Sequence, residues 1–270
     1  MTEARVTENP APRAATSAEL LLDGVSRSYG DNLAVRSISA EVPASKISVI
    51  VGPSGCGKST LLRIISGLDE PTAGRVEFEG TPVNGVPEGL AMVFQDYSRS
   101  LFPWMRVDKN VAFPIKHLPA KERAERVRFA IEEVGLSGKE KLYPWQMSGG
   151  MQQRVAIARA LASHPKLLLM DEPYASVDAQ TRADLEDLLM RIQAELGITV
   201  LVVTHDIDES VYLADRIIVL SAPPSVVAEV IEVDLPRPRD HIATKTDPRF
   251  VEIRGHVTRL LRSKEQVAPV

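Results

Sequence analysis

From residue 20 onward the chain alternates short apolar runs with stretches whose apolar residues recur every three or four positions. "KISVIVG" (46–52), "KLLLMD" (166–171), "ITVLVVTH" (198–205) and "RIIVLSA" (216–222) are rich in Ile, Val and Leu and short for helices. Continuous runs of this length, bounded by Gly, Asp or His, predict strands buried on both faces of a parallel sheet. "RVEFEG" (75–80) and "LAMVFQ" (90–95) predict two more strands. Helical spacing is clearest in 181–197, where Leu185, Leu188, Leu189, Ile192 and Leu196 share a face and Gly197 stops the helix. It recurs in 58–68, in 121–136 (Val127, Ala130, Ile131, Val134) and after residue 150 (Val155, Ala158, Leu161, Ala162). A last amphipathic helix carries Phe250, Ile253, Val257, Leu260 and Leu261. Strands alternating with helices predict an α/β fold, a parallel sheet flanked by helices, with a mostly helical stretch at 96–163 inserted into it.

The opening "MTEARVTENPAPRAATSA" (1–18) is polar and without period, and predicts a disordered lead. The remainder divides into a main domain at 19–222, which carries the inserted helices, and a short extension at 223–270. A formal charge of −4 argues against a nucleic-acid partner, which would call for a basic patch. The longest apolar runs fall far below the roughly eighteen residues of a membrane span. Cys56 is the single cysteine, so no internal disulfide can form, and with no signal peptide at the start a cytoplasmic setting is expected.

Two stretches carry phosphate chemistry. The first is "GPSGCGKST": Gly52, Pro53, Ser54, Gly55, Cys56, Gly57, Lys58, Ser59 and Thr60. It fits Gly-x-x-x-x-Gly-Lys-Ser/Thr between a strand and a helix, where loop N–H groups wrap phosphates, Lys58 reaches the outer ones and Ser59 offers a hydroxyl to Mg²⁺. "LLLMDEP" supplies its complement. Asp171 ends a strand where a carboxylate can hold Mg²⁺, and Glu172, pointing elsewhere, can take a proton from an attacking water. Gln95 and His205 end two other strands, and each by itself reads as an ordinary structural hydrogen-bonder. They gain interest because parallel sheets gather ligands at the carboxyl ends of their strands. Tyr29 could stack on a base or be an ordinary half-buried tyrosine. Cys56 has no catalytic role to play, although its alkylation is expected to block nucleotide entry. "LFPW" (101–104) is either local core or an exposed docking patch.

The second stretch is "YPWQMSGGMQQRVAIARAL" (143–161), where Ser148, Gly149 and Gly150 open a helix. Free N–H groups and the positive end of a helix dipole make such a start a second anion site. One small chain thus carries two phosphate cradles.

Together, the glycine loop, Gln95, "MSGGM", "LLLMDEP", "SVD" and "VTHD" resemble, in order and spacing, an ABC transporter ATP-binding subunit over 20–262. "VFQDYSRSLFPW", "SVDAQTR", "VTHDIDESVYLADRIIVLS" and "LPRPRD" are similar to the nitrate, sulfonate and taurine importer branch. The resemblance implies a P-loop core with an additional antiparallel β portion, ATP and Mg²⁺ as cofactors, and Gln95 and His205 acting beside Glu172. It also implies a head-to-tail dimer in which Ser148–Gly150 of one chain closes on ATP held by the other, with Asp178 of "SVD" near the shared nucleotide. Permease subunits and, indirectly, a substrate-binding protein would be the partners, at the cytoplasmic face of the membrane. The alternative is a soluble ABC ATPase acting on another macromolecule. Three positions depart from the family pattern: Met147 stands for leucine, Met151 for glutamine and Val177 for leucine. Only Met151 removes a polar group.

Overall fold

The structure, a computed structural model, describes residues 18–96 and 100–265, so the predicted lead lies outside it apart from Ala18. Its strands are β1 Ala18–Tyr29, β2 Asn32–Pro43, β3 Ile47–Val51, β4 Ala73–Phe78, β5 Thr81–Pro82, β6 Leu90–Val93, β7 Leu167–Asp171, β8 Thr199–Thr204, β9 Arg216–Leu220 and β10 Val227–Glu232. Helices are α1 Lys58–Ile65, α2 Val107–Ala112, α3 Ala120–Glu133, α4 Gly149–Leu161, α5 Ala179–Leu196, α6 Ile207–Leu213, α7 Ala243–Thr246 and α8 Pro248–Glu265.

The main sheet has the order β10-β9-β3-β8-β7-β6, parallel throughout except for the β10–β9 pair. Its strands read as unbroken apolar runs because both faces are covered, and the pleat sorts each run by alternate residues. Val49 and Val51, Leu168 and Met170, Val200 and Val202, and Ile217 and Val219 point into a core built with the helices after α1. Ile50, Leu167, Leu169, Leu201, Val203 and Ile218 point the other way. There they meet Leu61, Leu62, Ile64 and Ile65 of α1 and the inner face of a second, antiparallel sheet of order β2-β1-β4-β5.

The inserted helices α2, α3 and α4 lie between β6 and β7, which are neighbours in the sheet. Ala130, Ile131 and Val134 bury the predicted face of α3, while Val127 is only partly covered. Beyond residue 222 the chain re-enters the sheet as β10, an edge strand that the sequence reading did not foresee. α8 buries Phe250, Ile253 and Val257, with Leu260 and Leu261 packed partly against the same core.

Candidate functional site

β3 runs directly into the glycine loop. Gly57 sits at φ 91° as the residue before α1, and a Cβ there would lie 2.9 Å from Val35 Cγ2 and 3.2 Å from Ala34 O. A glycine is therefore required twice over, by handedness and by the close approach of β2. Lys58 is buried, and its Nζ donates to Gly52 O and Pro53 O, both at 2.9 Å. The ammonium is thus folded back over its own loop, held within the cradle. Cys56 lies inside the same loop. It is fully buried, burial pushes its thiol pKa up, and a Cβ on Gly52 would come within 2.7 Å of its sulfur. Thiolate character and access control cysteine reactivity, and the folded loop limits both. The loop is wrapped around the thiol.

The strand ends assemble the rest. Ser59 Oγ lies 3.5 Å from Asp171 Oδ1, and burial pushes the Asp171 carboxyl pKa up, with the Ser59 contact opposing it. A buried carboxylate facing a hydroxyl offers two hard oxygen donors of the kind that hold a divalent cation. Glu172, the next residue, has φ 41°. This left-handed backbone breaks the strand's alternation, at a cost of about 1–3 kcal/mol for a non-glycine residue. Its N–H still bonds Val203 O at 2.8 Å, so β8 holds the kink in place. The carboxylate is turned toward two partners: Gln95 Nε2 donates to its Oε2 at 3.0 Å, and His205 Nδ1 lies 3.2 Å from the same oxygen. Strand ends of β6, β7 and β8 thus bring Gln95, Glu172 and His205 together beside Lys58, Ser59 and Asp171. The alternation rule hinted that the two acids diverge; nothing in the sequence announced the strained backbone that makes it possible.

Tyr29 ends β1 half-exposed, its hydroxyl bonding Asp69 Oδ2 at 3.3 Å and the Arg27 guanidinium lying 4.8 Å from its ring centroid. Arg27 and Asp69 are contacts the sequence did not signal. Ser148 caps α4, its Oγ accepting from Met151 N at 3.4 Å, and both Ser148 and Gly149 are exposed. Gly150 is buried against α5: a Cβ would meet Thr181 Cγ2 at 2.3 Å. Asp178 caps α5, accepting from Thr181 N at 3.0 Å and Thr181 Oγ1 at 2.7 Å, and these bonds hold its carboxyl pKa below the usual range. The starts of α4 and α5 are therefore neighbours. Among the described residues, no hydrogen bond or ion pair joins Ser148, Gly149, Gly150 or Asp178 to the loop at 52–60. Met147 is buried and Met151 is packed partly against the core, so both departures from the pattern fill apolar space.

"LFPW" divides its roles. Leu101 is core, Phe102 is half-buried against Phe113 with centroids 4.5 Å apart, and Trp104 is 70% exposed. Asn110, fully buried on α2, holds this turn: its Oδ1 accepts from Phe102 N at 2.8 Å, and its Nδ2 donates to Met105 O at 3.0 Å and Phe102 O at 3.1 Å. Nothing in the sequence signalled this role, since an asparagine on a short helix usually faces water. Arg159 of α4 reaches the same segment through Ser100 Oγ at 2.9 Å. The helix that Ser148 opens is thus tied to the segment of the exposed aromatic turn.

The sequence model described as ABC transporter matches residues 35–175. An aliphatic sulfonates import ATP-binding protein of Bacillus licheniformis is 45% identical over 233 residues, 86% of this chain and 88% of that protein. A nitrate import ATP-binding protein of Synechocystis is 40% identical over 243 residues, 87% and 91% of the two chains. A bicarbonate transport ATP-binding protein of Synechococcus elongatus is 42% identical over 240 residues, of whose length the match spans 36%. Among solved structures, a bacterial ABC transporter cassette in dimeric form aligns with a TM-score of 0.70 at 32% identity, covering 79% of this chain and 98% of that one. Its dimeric post-hydrolysis state, bound to ADP and phosphate, aligns with a TM-score of 0.69.

Proposed function

The chain belongs to the ABC transporter ATP-binding family, and on that premise we propose that it hydrolyses ATP to drive an importer for a small anion or organosulfur or nitrogen solute. The observation that carries the chemistry is the meeting of Gln95 and His205 on one oxygen of Glu172 beside the Lys58 loop. With Oε2 engaged twice, Oε1 is left to accept the proton of the attacking water. Ser59, Asp171 and the amide oxygen of Gln95 form a hard oxygen set suited to Mg²⁺. Bound there with the nucleotide, the ion would draw charge from the outer phosphates. Lys58 exchanges its two loop carbonyls for phosphate oxygens, and His205 supports the γ-phosphate. Tyr29 offers a ring face to the base.

Two cradles in one chain make sense if two chains share two nucleotides. An isologous pair places each α4 start, with Ser148, Gly149 and Gly150, over the loop of the other chain, so both sites are completed by one symmetric contact. Asp178, next to that start through Thr181, lies in the same contact. The solute class follows relatives named for sulfonates, nitrate and bicarbonate. Each of these is named for transport, and none favours a soluble ATPase acting on another macromolecule.

No helix among the described residues is long and apolar enough to cross a membrane. The chain would therefore reach the membrane through permease subunits at its cytoplasmic face, with a substrate-binding protein delivering the solute. Phe102, Trp104 and Phe113 are the surface offered to the permease, since an exposed aromatic cluster marks a docking site. Changing Phe102→Ala together with Trp104→Ala removes two aromatic anchors, which costs docking surfaces about 2 kcal/mol or more. Permease co-purification is expected to fall by more than about tenfold, with nucleotide binding and melting temperature near the parent's. Undiminished co-purification would refute the docking assignment.

A further inference from the structure

The motif "LPRPRD" (235–240) takes no part in the site, yet it grips the element behind it. α6 opens one residue after His205, with Asp206 as its cap, and has only seven residues. A helix below about twelve residues is marginal without outside support, and its last four carbonyls lack partners within it. Arg239, itself buried, supplies part of what is missing: Nη1 donates to Tyr212 O at 2.6 Å and, just past the helix, Nη2 to Ala214 O at 2.9 Å. A cation at this end also complements the helix dipole. Arg237 Nη2 bonds Asp215 Oδ1 at 2.9 Å, and the other oxygen of Asp215 accepts from Ile47 N at 2.9 Å, where β3 begins its run to the phosphate loop.

One residue further, His241 spans two helices. Its ring stacks on Tyr212 of α6 with centroids 4.1 Å apart, and its Nε2 lies 3.1 Å from Ala183 O and 3.2 Å from Asp187 Oδ1 on α5. Tyr212 donates to the same carboxylate at 2.8 Å. At the site end of the two helices, Arg182 of α5 bonds Asp206 Oδ2 at 3.0 Å. α5 begins just after its cap Asp178 and α6 just after its cap Asp206, so a single strap fixes both helices that lead away from the site.

We propose that Arg239 and His241 are positioning residues for ATP hydrolysis, clamping α6 against α5 so that His205 is held at Glu172. The inference rests on His205 acting at the γ-phosphate, and it gives the C-terminal extension a part in the reaction. A strap that only stabilised the fold would slow every variant alike. A strap acting through His205 has nothing left to position once that imidazole is gone.

The test uses the full chain, ATP, and single-turnover hydrolysis with parallel nucleotide binding. Arg239→Lys keeps a cation and its stem but loses the planar fork that spans two carbonyls. It is expected to hydrolyse about tenfold more slowly at near-parent ATP affinity, and to add no further loss to His205→Ala, because effects within one unit are not additive. Equal fold losses in both backgrounds, or a parent-like rate for Arg239→Lys, would overturn the clamp. If Arg239→Lys does not fold, His241→Phe decides by the same cycle, since it keeps the stack on Tyr212 and loses the contacts to α5. A parent-like rate for His205→Ala would instead overturn the reading of the site, and the clamp with it.

Discussion

Glu172→Gln is expected to bind ATP as the parent does and to cleave it about 10²- to 10⁴-fold more slowly, the range a positioned general base contributes. The substitution is nearly isosteric, and an amide can occupy the same left-handed backbone position. Its oxygen can still accept from Gln95 Nε2, so the geometry of the strand ends survives. What is lost is the oxygen able to take a proton. Binding depends on the loop at 52–60 and on Asp171, which the change leaves alone. Equilibrium nucleotide binding and single-turnover hydrolysis on one preparation check both halves. A cleavage rate close to the parent's would remove Glu172 from the role of base.

Lys58→Ala fails differently. The ammonium is buried in the cradle, bonded at 2.9 Å to two loop carbonyls that it can exchange for phosphate oxygens. Removing it takes a positive charge from the outer phosphates in both the bound state and the transition state, so binding and turnover fall together. Hydrogen bonds to charged groups are worth about 1.5–3 kcal/mol each, which sets the expected loss of ATP affinity at about tenfold or more. Calorimetric titration with ATP measures it. Parent-like affinity would mean that Lys58 stays folded over Gly52 and Pro53 and never meets the nucleotide.

The contrast between these two residues follows what the chain reveals about itself. Strands buried on both faces leave continuous apolar runs, so β3, β7, β8 and β9 were legible, and so were the chemical groups at their ends. The antiparallel sheet was hard to read because β1 and β2, of twelve residues each, pair with several register shifts that interrupt the two-residue alternation. Of that sheet only β4 stood out. Side-chain identity pointed to Glu172, but its positive φ depends on contacts with β8 made far along the chain. The burial of Cys56 was not legible, because sequence does not tell which way a loop closes. Arg239 enters the sequence reading only inside the motif "LPRPRD", and the packed end of α6 gives it partners. The motifs announced which residues gather at the strand ends; the long-range contacts that hold them are set by packing.

The central claim is that the two anion cradles of one chain serve nucleotides shared between two chains. The γ-phosphate adds negative charge between Lys58 of one chain and the exposed start of α4 in the other, so ATP should join them where ADP does not. Sedimentation of the Glu172→Gln protein, which is expected to retain uncleaved ATP, tests this directly. With ATP the 29.6 kDa chain should sediment as a dimer holding one nucleotide per chain, and with ADP as a monomer. Ser148→Arg, which places bulk on that exposed helix start, should bind ATP and remain a monomer. A Glu172→Gln chain that stays monomeric in saturating ATP, or a Ser148→Arg form of it that dimerises as readily, would contradict the shared site.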